Sequence, residues 1–258
     1  MNAAVVFGFS SEALVLALVV GAGIALAAAA SQRRRKKRKS DDFYALALRD
    51  GLRPTVVPCS LSPDDLASRF AVTPRGERRY GLEYGLTGPL EVTLAGTPYT
   101  LECAMFRWWW EVPRRRGDSR HVDRRQEAVV VVRLPVHVPS RLLVQPESVL
   151  GRLGLRHDDQ QLESSEFNRR FRVEARNRTL TVQLLDAQLQ AMLARDFDGR
   201  SLEIADDLLL VAGPPTAGDP NLAGFIGDLA GLRSDMQRFL ETVPAAFWRA
   251  VGLPRLQA

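Results

Sequence analysis

The chain reads as an α+β protein: an N-terminal transmembrane helix, then an antiparallel sheet region with packed helices, closed by a C-terminal amphipathic helix. Three observations predict this class. Ala13 to Ala30 is a run of eighteen residues without a charge, followed at once by the basic run Arg33 to Lys39. From Arg78 to Leu134 the chain alternates or runs apolar in β-branched and aromatic residues, punctuated by Gly and Pro. From Asn221 to Thr242 apolar residues recur at helical spacing.

The first run spans about 27 Å as a helix, close to the hydrocarbon thickness of a bilayer. A signal peptide carries its basic residues before the apolar run, whereas here all seven follow it. The positive-inside rule therefore places the short N-terminus outside and the C-terminal domain in the cytoplasm, at a plasma membrane. Small residues at Ala17, Gly21 and Ala25 form part of a ridge at spacing four, which would let two such helices meet as a homodimer. Arg33, Arg34, Arg35, Lys36, Lys37, Arg38 and Lys39 fix topology and would attract anionic lipid headgroups.

Charge is concentrated in that basic run. The 258-residue chain has net charge +5. The run holds seven of its 35 basic residues, and Glu12 is the one acid before it, so 28 basic and 29 acidic side chains remain from Ser40 onward. The folded part is thus electrically balanced, which argues against nucleic acid as a partner. The two cysteines, Cys59 and Cys103, are too few for a disulfide scaffold.

Ser40 to Arg53 reads as a short helix ending at Gly51. Ser62-Pro63-Asp64-Asp65 opens another, with serine as cap and the acids favoured by the helix dipole. RRYGLEYGL, LEVTLAG and YTLECAMFRWWWEV read as strands, with turns at Gly88-Pro89 and at Gly96-Thr97-Pro98. Pro113 to Arg125 reads as a charged hairpin loop, and Ala128 to Leu134 as a strand buried on both faces. Arg141 to Val144 is a further short strand. Glu166 to Arg170 is a helical turn leading into the strand FRVEAR. Leu180 to Arg195 reads as one helix. Ser201 to Ala205 and Leu208 to Ala212 read as a hairpin turning at Asp206-Asp207. The final helix places Leu222, Phe225, Ile226, Leu229, Leu232, Met236, Phe239 and Leu240 on one stripe, and Pro244 ends it. The domain boundaries are 1–32 for the anchor, 33–77 for the basic stop and helical linker, and 78–258 for the cytosolic domain, with a division near 145/146 left open.

The usual catalytic constellations are absent. His121, His137 and His157 offer no helical metal pair, and no phosphate loop or nucleophile elbow occurs. The reading is a non-enzyme without cofactor or metal. The most unusual local feature is Arg107-Trp108-Trp109-Trp110 with Arg114 to Arg116. In a strand, Trp108 and Trp110 share one face and Trp109 takes the other. Core packing and interfacial contact are both open for this motif. In the second reading Trp108 and Trp110 touch the bilayer beside arginine.

The segment Leu162-Glu163-Ser164-Ser165-Glu166-Phe167-Asn168-Arg169-Arg170-Phe171-Arg172-Val173, with the anchor, basic patch, strand-rich region and C-terminal helix, resembles a family of actinobacterial single-pass membrane proteins. The resemblance implies a membrane-anchored domain and brings no activity with it. The expected role is that of an interaction, scaffold or regulatory domain with an unidentified protein partner. A lipid- or small-ligand-binding module at the membrane surface is the alternative, and an unrecognised enzyme a remote one. A pocket with convergent polar groups favours the ligand module; a flat exposed apolar patch favours a protein partner.

Overall fold

The structure is a computed structural model, and it describes residues 52–55, 60–73, 79–116, 119–147, 160–217 and 222–253, with positions 31, 41, 43–45, 47 and 48 before them. The expected membrane helix, its ridge Ala17, Gly21 and Ala25, the basic run Arg33 to Lys39, Cys59 and His157 lie outside the described residues. Among the described residues no helix is long and apolar enough to cross a membrane. The described positions from 41 to 48 are helical, as the Ser40–Arg53 reading expects. By its own contacts the chain divides into Met1–Ala45 and Leu46–Ala258, and the second unit carries everything that follows.

That unit contains seven strands and six helices among its described residues. The strands are β1 (Arg53–Pro54), β2 (Tyr80–Leu94), β3 (Thr97–Arg116), β4 (Ser119–Pro146), β5 (Phe171–Ala175), β6 (Ser201–Ala212) and β7 (Thr216–Ala217). The helices are α1 (Pro63–Arg69), α2 (Ser165–Arg170), α3 (Arg178–Leu184), α4 (Ala187–Asp196), α5 (Leu222–Thr242) and α6 (Ala245–Ala250). All strand pairings are antiparallel, so the α+β class with packed helices stands.

β4 organises the sheet. Along one edge it pairs first with β3, from Ser119 to Val132, and then with β5, from Leu142 to Pro146. Along the other edge it pairs with β7 at Arg125–Gln126 and with β6 from Val129 to Val144. Its centre, Val129 to Val132, is fully enclosed, as the apolar run predicts. The reading of separate strands around 128–134 and 141–144 is corrected: they are one strand of 28 residues.

Three turn assignments are also corrected, each for a physical reason. Gly88 and Pro89 do not turn but pair with Cys103 and Glu102. β1 covers β2 only at Leu86 and Thr87, so Pro89 sits on an edge where its missing N–H costs no ladder bond. The turn expected at 96–98 falls at Ala95-Gly96, with Thr97 and Pro98 already in β3; both turn residues have positive φ (49° and 84°), the requirement of a type I′ hairpin. Pro113 to Arg125 is not a long loop, because β3 and β4 stay paired out to Arg116↔Ser119. Asp206-Asp207 does not close a hairpin. Asp206 takes φ +56° at a register shift, and β6 continues straight along β4 on both sides of it.

The helices cap as their sequences direct. Ser62 Oγ accepts from Asp65 N at 3.1 Å while Asp65 Oδ2 accepts from Ser62 N at 3.0 Å, a reciprocal capping box. Asp186 accepts from Leu189 N at 2.9 Å and starts a new helix there, so the single helix expected over 180–195 is two, α3 and α4. In α5 the residues Phe225, Leu229, Leu232, Met236, Phe239 and Leu240 are buried, as the stripe predicts, and the helix packs against β4 and β2. The resemblance motif is structural at its apolar positions: Phe167, Phe171 and Val173 are buried, and Asn168 bonds both the N–H and the C=O of Leu162.

Candidate functional site

The tryptophan triplet divides between the two faces of the sheet as strand alternation requires. Trp108 lies wholly within the core beside Leu66 of α1, Phe70 at the end of that helix, and Leu208 and Leu210 of β6, with 0% exposure. Trp110 is half-buried against the same cluster. The expectation that Trp108 contacts a bilayer is therefore corrected: α1 and β6 cover its face and leave it no free surface. Trp109 projects to the opposite face, where Gly81 makes room for its indole. A Cβ at Gly81 would stand 3.2 Å from that ring.

On this second face a charged and aromatic array runs toward α5. Arg124 lies over the Trp109 ring at 4.2 Å and pairs with Glu83 at 3.0 Å. Glu83 also pairs with Arg107 at 2.8 Å. The Arg107 guanidinium stacks over Tyr84 at 4.4 Å and over Phe225 of α5 at 5.6 Å. Burial works to raise the Glu83 carboxyl, but the Arg124 hydrogen bond and the two guanidinium charges hold it below its ordinary value. Tyr84 reaches this position because it occupies a register shift in β2 with φ +54°. A non-glycine residue held there is strained, and bulges of this kind re-aim side chains beside sites.

Between this array and α5 opens a cleft of about 390 Å³. Ala128, Gly213, Pro214, Phe225 and Leu232 form its apolar lining, and Arg107, Gln126, Arg200, Thr216, Asp198 and Asp228 supply polar groups. Gly227 and Gly231, one turn apart on α5, also line it, and a Cβ built on either meets nothing within 4 Å. Each helix-interior glycine costs roughly 1 kcal/mol against alanine. The bare helix surface they leave is part of what keeps the cleft open.

Ion pairs fix the cleft wall. Arg200 pairs with Asp235 of α5 and donates to the Asp196 carbonyl at 2.9 Å. Arg238 bridges Asp235 at 2.8 Å and Asp196 at 3.1 Å. Burial of Asp235 outweighs both arginines and raises its carboxyl above the ordinary value. The charged groups lining the cleft balance, Arg107 and Arg200 against Asp198 and Asp228.

Cys103 is fully buried, and burial pushes its thiol up to about 12 against the opposing charge of Arg233, which makes it a poor nucleophile. No cluster of His, Cys, Asp and Glu among the described residues has the geometry of a metal site. His137 is exposed.

Sequence reasoning singled out the Trp–Arg segment and so found one wall of the cleft through Arg107. It missed Tyr84, Arg200, Gly227 and Gly231. The two glycines, inside an otherwise strongly apolar helical stripe, were a signal that sequence alone offered.

No protein-family model and no curated protein matches the chain, so the family resemblance drawn on Leu162–Val173 gains no match. Among solved structures, the crystal structure of the mycobacterial trehalose monomycolate transport factor A, TtfA, aligns over 80% of this chain and 96% of that one. The TM-score is 0.44 and the identity 12%. A likeness of that degree carries no argument about ligand or role.

Proposed function

We propose that this chain is a membrane-anchored, non-enzymatic binding module that takes a small amphiphile of no net charge in the cleft between α5 and the sheet. Ala13 to Ala30 is the anchor in this reading, and Arg33 to Lys39 hold the domain on the cytoplasmic side of the plasma membrane. The observation that carries the binding role is the cleft itself. Its volume of about 390 Å³ lies in the range of ligand pockets, and its lining is apolar with several convergent polar groups. The balance of two arginines against two aspartates selects for an uncharged or zwitterionic head rather than an ion. The scaffold reading called for a flat apolar patch. Among the described residues the exposed large apolar side chains are Leu48, Val112, Val122 and Val182, scattered over the helix near residue 48, the hairpin and α3.

The test uses Gly231→Leu. Its side chain enters open space, so the fold is retained while the cleft is filled. Full-length protein purified from its membrane is extracted and the bound small molecules are identified by mass spectrometry. A molecule recovered with the native chain and lost from Gly231→Leu at undiminished thermal stability supports the cleft. Equal recovery from both rejects it, and recovery of a stoichiometric protein with no small molecule returns the reading to a scaffold.

A further inference from the structure

The charged side chains of the α5 cleft are sorted by depth. Arg107 of β3 is 5% exposed, its guanidinium stacked over the rings of Tyr84 and Phe225. Arg200, just before β6, is half-buried against Asp235 of α5. Asp198 and Asp228 line the same cleft, but both are exposed. Cations therefore form the inner wall and acids the rim. Glu127, also at the cleft, sends its side chain to the other face of the sheet. It stands opposite Trp108 in the ladder and so shares that ring's side, away from α5.

Local structure sets this order. Asp198 lies in the turn between α4 and β6, where Gly199 at φ +69° reverses the chain. Asp228 lies next to Gly227 and one turn before Leu232, so α5 offers the cleft an acid, two bare glycines and a leucine. The partners of these groups differ too. Among the described residues Glu83 is shared by Arg107 and Arg124. Asp196 and Asp235 are shared by Arg195, Arg200 and Arg238, so each cluster holds one more guanidinium than carboxylate. Asp198 and Asp228 make no ion pair or hydrogen bond among the described residues.

We propose that the cleft takes a zwitterion, whose anionic group meets Arg107 and Arg200 inside and whose ammonium meets Asp198 and Asp228 at the rim. The proposal rests on the cleft reading above and narrows its neutral amphiphile to one class. Guanidinium groups match phosphate or carboxylate oxygens with paired N–H donors, and an ammonium donates to carboxylates. Ala128, Pro214, Phe225 and Leu232, with the open strip at Gly227 and Gly231, receive an attached hydrocarbon. A phosphoethanolamine head has this charge order, whether carried on a lipid or free in solution. Phosphatidate lacks the ammonium, and diacylglycerol lacks both charges.

Isothermal titration of the full-length protein in non-ionic detergent tests this with four probes. They are dihexanoyl phosphatidylethanolamine, dihexanoyl phosphatidate, dihexanoylglycerol and free phosphoethanolamine. The zwitterionic lipid binds at least roughly tenfold more tightly than the other two lipids, a factor that two exposed ion pairs supply together. Asp198→Asn combined with Asp228→Asn, both at exposed positions, weakens the zwitterion by about that factor and removes its advantage over phosphatidate. An advantage that survives in the double variant overturns the role of the rim. Equal affinity for the three lipids, lost in Gly231→Leu, overturns the zwitterion and leaves the cleft standing. Affinities untouched by Gly231→Leu overturn the cleft and the zwitterion together. Free phosphoethanolamine binding as tightly as its lipid supports the charge order and makes the source a soluble zwitterion.

Discussion

Glu127 offers the sharpest physical test of the fold. It sits opposite Trp108 in the ladder, is 6% exposed, and its Oε1 has no hydrogen-bond partner among the described residues. Burial alone pushes the carboxyl well above its ordinary value of 4.5. Below that value both folded and unfolded chains hold the proton. Above it the unfolded chain releases the proton while the folded chain retains it. The folded state then binds more protons than the unfolded one, so stability falls as pH rises, by about 1.4 kcal/mol per unit, until the folded carboxyl itself titrates. Glu127→Gln keeps the shape and removes the titration. Relative to the native chain, the variant gains stability between pH 4.5 and pH 6.5. For a domain of this size each kcal/mol gained is about 2 to 4 °C in Tm. Thermal unfolding of both proteins across this interval measures it. A difference in Tm that stays constant with pH means that Glu127 is ionised in the folded protein and refutes the reasoning.

Three further outcomes follow from the packing. Trp108→Ala empties a fully enclosed site and costs about 3 to 5 kcal/mol by urea unfolding, whereas Trp109→Ala, half-exposed on the other face, costs clearly less. Gly231→Ala adds a methyl to open space and raises stability by up to about 1 kcal/mol, as Tm will show. Arg141→Met removes the guanidinium from Glu203, whose side chain is wholly buried. The loss is about 3 kcal/mol at pH 7 and shrinks toward pH 4, where Glu203, already raised by burial, takes up its proton.

Features set by neighbours in sequence were legible. The capping box at Ser62–Asp65, the buried run Val129–Val132 and the α5 stripe each follow from local spacing, and each is present. Features set by distant pairing were not. Pro135 and Pro139 suggest a break in β4, yet they fall where its pairing is interrupted. There β3 has ended at Val132, β5 has not begun, and β6 shifts register between Arg133 and Val138. The missing N–H groups are tolerated because no strand is regularly paired at that point. Asp206-Asp207 looks like a hairpin turn for the same reason: only the presence of β4 alongside both halves makes it a bulge. The cleft draws on β3, β4, the turn after α4, the segment after β6 and α5. No window of sequence contains it.

The shared strand β4 has a consequence for how the chain can be divided. A cut between residues 147 and 160 leaves β1 to β4 on one fragment and β5 to β7 with α2 to α6 on the other. The first fragment then exposes the apolar edge Val129–Val132 and the second has no strand to receive β6, so neither satisfies its backbone alone. Co-expressed, the halves complete one sheet and reconstitute the α5 cleft between them. The chain is thus a natural candidate for split-protein complementation, with reassembly reporting directly on the formation of the binding cleft.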